Sequence, residues 1–104
     1  MSTNSSTEPV EPGGIADNAI PGIAAGFRLQ FEKQQDAWVL LYPEGMIKLN
    51  QSAGEILKRC DGARSVGQII DELELAFEQP DLRDDVHAFM TIACQQKWLR
   101  LNES

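Results

Sequence analysis

The stretch FRLQFEKQQDAWVLLYPEGMIKL (residues 27–49) decides the fold of this chain. Apolar and polar side chains alternate over residues 27–32, with the two-residue period of a half-buried strand. WVLLY (residues 38–42) is apolar on both faces, as suits a central strand. Pro43 and Gly45 occupy the second and fourth positions of a β-turn, and a short third strand runs from Met46 to Leu49. The stretch predicts a three-stranded antiparallel meander.

After residue 49 the apolar residues follow the 3.6-residue period of helices. Asn50 or Ser52 can cap a first helix, and Ser65 with Gln68 has the spacing of a capping box at the start of a second. A third helix follows Pro80 and runs to about residue 97. We predict an α+β domain in which the meander precedes three helices, an order that resembles a winged helix-turn-helix.

The first 25 residues show neither period and are rich in Ser, Thr, Pro, Gly and Asn. Such a segment buries too little apolar surface to offset the entropy lost on ordering it. We therefore divide the chain into a flexible N-terminal tail (residues 1–25) and one folded domain (residues 26–104). Ile20 and Ile23 are the tail's candidates for docking on that domain.

The charge balance argues against several classes of function. The 104 residues hold 16 acids against 9 Lys and Arg, a formal net charge of −7. Nucleic-acid binding requires clustered bases, and the predicted second helix has none. The sequence has no apolar run near the ~20 residues of a membrane span and no visible secretory signal. We expect a cytoplasmic protein that contacts neither nucleic acid nor membrane.

The residues that carry chemistry form no catalytic pattern. His87 is the only histidine, Cys60 and Cys94 lack metal-ligand spacing, and the glycines match no phosphate-binding motif. We therefore expect a protein without an active site, a metal or a cofactor. Cys60 and Cys94 are expected to be free thiols.

The predicted third helix has an unusually wide apolar surface. At about 100° per residue, its apolar side chains span an arc of roughly 240°. Two explanations remain open at this point. Either the helix is central and contacts both the sheet and the other helices, or part of the arc lines a groove for an apolar partner.

Residues 39–77, VLLYPEGMIKLNQSAGEILKRCDGARSVGQIIDELELAF, strongly resemble the PqqD family of pyrroloquinoline quinone (PQQ) biosynthesis. GFRLQFE precedes the run and DVHAFMTIACQQKWL follows it, so the resemblance extends from about Phe27 to Leu101. Its most specific part is PEGMIKLNQSAGEIL with the CDG that follows. The chain departs from the family pattern in its longer N-terminal lead-in and in Lys97, where Gly is expected before the Trp.

The resemblance implies a binding module without catalysis. PqqD proteins are recognition elements for ribosomally made, modified peptides: they bind the precursor peptide PqqA and present it to the radical S-adenosylmethionine enzyme PqqE. In the family the peptide lies as an added strand between the third strand and the third helix. The short strand at the end of the predicted meander suits this role, because its outer edge offers unpaired backbone groups.

Helix positions refine the predicted groove. Val86 and Met90 are predicted on its flank, Arg83, His87 and Lys97 as positive edges, and Leu82, Phe89 and Ala93 toward the core. The predicted peptide-binding residues are Met46, Ile47, Lys48, Leu49, Arg83, Val86, His87, Met90, Cys94 and Lys97. Glu74 and Glu78, on the acidic surface of the second helix, are predicted to dock the enzyme.

Two other functions stay open: a winged-helix regulator that binds nucleic acid, and a structural subunit that only stabilises the modifying enzyme. We expect a monomer, although an exposed edge strand also permits a dimer.

Overall fold

A computed structural model describes residues 15–103 of the chain. The described residues form five strands and three helices. In chain order these are β1 (Ala19–Ile23), β2 (Arg28–Glu32), β3 (Ala37–Tyr42), β4 (Gly45–Lys48), α1 (Gln51–Lys58), α2 (Val66–Ala76), α3 (Arg83–Gln95) and β5 (Leu99–Glu103). The predicted α+β class, with an antiparallel meander followed by three helices, is confirmed. The comparison with a winged helix-turn-helix stays a prediction.

The meander is an antiparallel sheet in the order β2-β3-β4. Leu40 of β3 pairs with Leu29 on one side and with Ile47 on the other, so these three side chains share a face of the sheet. Leu29 and Ile47 pack against the main hydrophobic core, which identifies this as the face toward the helices. The apolar run of β3 is therefore the central strand that the sequence indicated. The alternation of β2 predicted the strand but not its burial, since Phe31 is 42% exposed and Glu32 is half-buried.

The N-terminal segment contains a strand that the sequence analysis missed. β1 pairs antiparallel with β5, from Ala19 opposite Glu103 to Ile23 opposite Leu99. Ile15 and Ala19 are buried in the main core. The predicted domain boundary at residue 25 is therefore wrong, because residues 15–25 belong to the folded domain. Residues 1–14 of the predicted tail lie outside the described residues.

Capping groups determine where the helices begin. The Asn50 side chain accepts a 2.7 Å hydrogen bond from the Ala53 N–H at the start of α1. Ser65 and Gln68 form the predicted capping box at the start of α2. α3 has no side-chain cap at Leu82, but Glu74 Oε2 accepts the Leu82 N–H at 3.0 Å. A carboxylate of α2 thus satisfies a donor at the start of α3.

The main core lies between the three helices and the strands that flank them. Its fully buried helical members come from α1, α2 and α3 alike: Leu57, Val66, Ile69, Ile70, Met90 and Ala93. Cys60 is buried and Cys94 is half-buried, and both are free thiols, as predicted. Within residues 15–103, no helix is long and apolar enough to cross a membrane.

Candidate functional site

The outer edge of β4 is open in the described part of the chain. β4 is the last strand of the order β2-β3-β4, and the Leu49 N–H donates to the Trp38 C=O of β3 at 2.9 Å. Backbone groups alternate in direction along an antiparallel strand. Leu49 and Ile47 therefore direct their groups toward β3, whereas Met46 and Lys48 direct an N–H and a C=O outward. This edge can pair with one further strand.

An open cleft of about 330 Å³ begins where β4 ends. It lies among the first turn of α1, the end of α2 and the first turns of α3. Its lining is apolar at the base and polar at the rim, and comprises Gln51, Ser52, Ile56, Leu73, Phe77, Gln79, Leu82, Asp85 and Val86. Such a cleft can take an apolar side chain, with one carboxylate at its rim for a cation.

Contact between Gly54 and Trp38 holds α1 against the sheet and so places one wall of the cleft. A Cβ atom on Gly54 would lie 2.6 Å from Trp38 Cδ1 and 2.9 Å from Cγ, closer than real Cβ contacts. Only glycine lets the helix approach the indole this closely. Because Gln51 and Ser52 form the first turn of α1, this contact also fixes their position in the wall of the cleft.

The predicted strand residues differ in their accessibility. Met46 is 48% exposed and Lys48 is exposed, so both are available to a partner. Ile47 is half-buried on the helix-facing side of the sheet. Leu49 belongs to the buried core, so its side chain is unavailable. Of the four, Met46 and Lys48 also carry the outward backbone groups.

The prediction that Met90 lines an accessible groove on α3 is wrong. Its side chain is fully buried, at 0% exposure, and Val86 is buried at the base of the cleft. α3 is central, which was one of the two explanations for its wide apolar arc. Ala93 is buried in the core, and Leu82 and Phe89 pack against it, as predicted, although both are half-buried and keep an accessible part. Ile92 is 51% exposed. The accessible apolar flank therefore carries Leu82, Phe89 and Ile92.

The N-terminal segment occupies the flank that was predicted to be a positive edge. Arg83 Nη1 donates to Asp17 Oδ1, and His87 Nε2 lies 3.7 Å from the same oxygen. His87 is buried, and Cys94 is half-buried with a thiol pKa raised by that burial. Lys97 is exposed just beyond α3 with a positive φ of 68°. His87 is therefore corrected from a peptide contact to a member of the fold, whereas Arg83 keeps an exposed side chain that pairs with Asp17. The peptide contacts predicted for Arg83, Cys94 and Lys97 stay predictions. No local pattern in residues 15–25 indicates the contact of Asp17 with α3.

The two acids predicted to dock an enzyme have different roles in the structure. Glu74 is half-buried because its carboxylate holds the Leu82 N–H. Glu78 is exposed in the turn after α2, with a positive φ of 52°. The sequence did not single out Leu75, which lies between them and is 81% exposed.

Fold and site together define a small α+β binding domain with one open strand edge beside an apolar cleft. In the described residues, no group of three His, Cys, Asp or Glu side chains is placed to hold a metal ion. The sequence model that describes the protein family PqqD, coenzyme PQQ synthesis protein D, matches residues 37–99 of this chain. The chain belongs to the PqqD family, as its resemblance indicated.

Curated relatives and a solved structure agree with this assignment. The chain is 51% identical over 85 residues to the PqqA binding protein of Pseudomonas aeruginosa strain UCBPP-PA14, covering 81% of this chain and 92% of the relative. The corresponding figures for the PqqA binding protein of Rahnella aquatilis are 48% identity over 90 residues and coverage of 86% and 95%.

The solved structure is the solution NMR structure of the PqqD truncation of Methylobacterium extorquens PqqCD, which represents a functional, stand-alone recognition element for ribosomally synthesised and post-translationally modified peptides. It is 27% identical to this chain, with a TM-score of 0.69, and the match covers 86% of this chain and 97% of that one.

Proposed function

We propose that this protein binds the precursor peptide PqqA in PQQ biosynthesis and presents it to the radical S-adenosylmethionine enzyme PqqE. The names of the curated relatives and the recognition element from Methylobacterium extorquens support peptide binding. The observation that carries the proposal is the open outer edge of β4 that leads into the cleft. The role of PqqE is supported by the family resemblance.

In the proposed complex, the peptide adds a strand to β4 through the outward N–H and C=O groups of Met46 and Lys48. These groups allow up to four hydrogen bonds, each contributing about 0.5–1.5 kcal/mol net. Ordering the peptide costs about 1–2 kcal/mol per residue. Backbone pairing therefore roughly balances its own cost, and affinity must come from side chains.

The cleft and the accessible flank of α3 supply the side-chain contacts. Burying one large apolar side chain contributes about 1.5–3 kcal/mol, so an apolar anchor of the peptide in the cleft dominates the affinity. Phe77 and Leu82 line the cleft and contact that anchor, and Phe89 and Ile92 extend the apolar surface along α3. Asp85 at the rim favours a neighbouring Lys or Arg of the peptide, by about 0–1 kcal/mol.

The test is a titration of the ¹⁵N-labelled full-length protein with synthetic PqqA, followed by NMR. We expect the largest amide shifts at Met46, Lys48 and Ile92, and a small shift at the buried His87. The Lys48→Pro variant removes one outward N–H without removing a hydrogen bond of the sheet. It should weaken binding, whereas Lys48→Ala keeps the N–H and serves as the matched control for the side chain.

Two results would contradict the proposal. If Lys48→Pro keeps the thermal transition and binds PqqA like the wild type, the peptide does not add to β4. If PqqA does not bind the isolated protein at all, a structural subunit becomes the better explanation.

A further inference from the structure

Helix α2 presents two leucines on opposite sides. Leu73 is buried at the base of the cleft, whereas Leu75 is 81% exposed. Side chains two positions apart in a helix differ in direction by about 200°, so Leu75 points away from Leu73 and from the proposed peptide groove. A shallow depression of about 400 Å³ lies next to it, between α2 and the turn that follows. We call the surface formed by Asp71, Glu74, Leu75, Glu78, Gln79 and Pro80 the Leu75 surface.

Two acids flank this leucine, and no base in the described part of the chain pairs with either of them. Asp71 precedes Leu75 by one helical turn and Glu78 follows it, and both are exposed. Among residues 15–103, neither makes an ion pair, whereas Glu72 pairs with Arg59 at 3.4 Å and Arg64 at 3.3 Å.

A single exposed leucine is ordinary on a protein surface. An exposed leucine beside a depression, flanked by the unpaired acids Asp71 and Glu78, has instead the arrangement of an interface, where an apolar centre is surrounded by a polar rim. The charge of the rim selects the partner, because a complementary positive surface gains attraction and a negative one is repelled.

We propose that the Leu75 surface docks a protein partner that presents an apolar contact within a positively charged surface. The inference rests on the proposed function in one respect, since it takes the modifying enzyme PqqE as that partner. Leu75 and Leu73 lie on opposite sides of α2, and the Leu75 surface shares only Gln79 with the lining of the cleft. A partner centred on Leu75 therefore leaves the base of the cleft free for the peptide. The protein can therefore hold the peptide while it is attached to the enzyme.

The test measures two affinities for each full-length variant, for purified PqqE and for synthetic PqqA. Leu75→Ser should weaken PqqE binding about tenfold or more, as expected for the centre of an interface, and leave PqqA binding unchanged. Ile92→Ser, a matched loss of an exposed apolar side chain on α3, should do the reverse. Glu78→Lys should weaken PqqE binding at low salt and lose most of this effect at high salt. Glu44→Lys, the same charge reversal in the turn before β4, should leave PqqE binding unchanged.

The inference is overturned if Leu75→Ser and Glu78→Lys, folded by their thermal transitions, bind PqqE like the wild type. It is also overturned if the wild-type protein does not bind PqqE. In that case PqqA binding, measured on the same samples, decides separately whether the peptide-binding part of the proposed function holds.

Discussion

Asp17 and Arg83 lie 66 positions apart in the chain, and their side chains form an ion pair. The Asp17 C=O also accepts the Gly67 N–H at 2.9 Å, in the first turn of α2. Asp17, a single residue in the segment that precedes β1, thus contacts the first turns of both α2 and α3. These contacts hold the N-terminal segment against the flank of α3 that carries Arg83 and the buried His87.

Deletion of residues 1–24 is expected to destabilise the protein by more than about 2 kcal/mol in urea denaturation. It removes β1 and the buried side chains of Ile15 and Ala19, and burial of one isoleucine alone contributes about 1.5–3 kcal/mol. Asp17→Ala should cost less, about 0–1 kcal/mol, because the ion pair is exposed. An unchanged urea midpoint after the deletion would show that β1 adds nothing to stability.

Met90→Ala should lower stability by about 2–5 kcal/mol, because it leaves a cavity in a fully buried position. Met90→Asp should prevent folding, since the site offers a carboxylate no partner. Ile92→Ala, two residues along the same helix, should cost less than about 1 kcal/mol and weaken PqqA binding instead. Thermal denaturation and peptide titration of Met90→Ala and Ile92→Ala give the comparison. Equal destabilisation by the two alanine variants would contradict the orientation of α3.

Gly54→Ala should destabilise the protein, although alanine is the better helix former by about 1 kcal/mol. The new methyl would lie 2.6 Å from Trp38 Cδ1, so α1 or the indole must move. Gly67→Ala in α2 is the matched control, because its methyl would meet no atom closer than 3.6 Å. The control should be neutral or stabilising. Thermal transitions of the two variants should therefore shift in opposite directions or by clearly different amounts.

The Cys60 thiol should resist alkylation at pH 8. Burial is the main cause that raises its pKa from 9.0 to about 12, and the Asp61 carboxylate adds to the effect. In the unfolded chain the thiol ionises near its ordinary pKa, so between about pH 9 and 12 the unfolded state binds fewer protons than the folded one. The free energy of unfolding should therefore fall as the pH rises through this range.

Labelling with iodoacetamide, with mass spectrometry to locate the adduct, checks the thiol prediction. Cys94 is half-buried and should react before Cys60. Rapid modification of Cys60 in the folded protein would show that its side chain is not enclosed by α1 and its neighbours. The Cys60→Ala variant should lose the part of the alkaline destabilisation that this thiol causes.

Much of the fold could be predicted because its signals are local. The two-residue period of residues 28–32 and the apolar run of β3 indicated the sheet, and Ser65 with Gln68 indicated the start of α2. The open edge of β4 was also predictable, since a short strand at the end of a meander has one neighbour in the chain order.

Other features depend on residues that are distant in the chain. β1 has no alternating pattern and gains its partner only because β5 comes beside it after three helices. The sequence showed that α3 is apolar over an unusually wide arc. It did not show which part of that arc remains accessible, because Met90 and Ile92 are both apolar and differ only in what packs on them. Local periodicity thus specifies the strands and helices, whereas the covered flank of α3 is specified by long-range packing, in which Asp17 meets Arg83 and β1 meets β5.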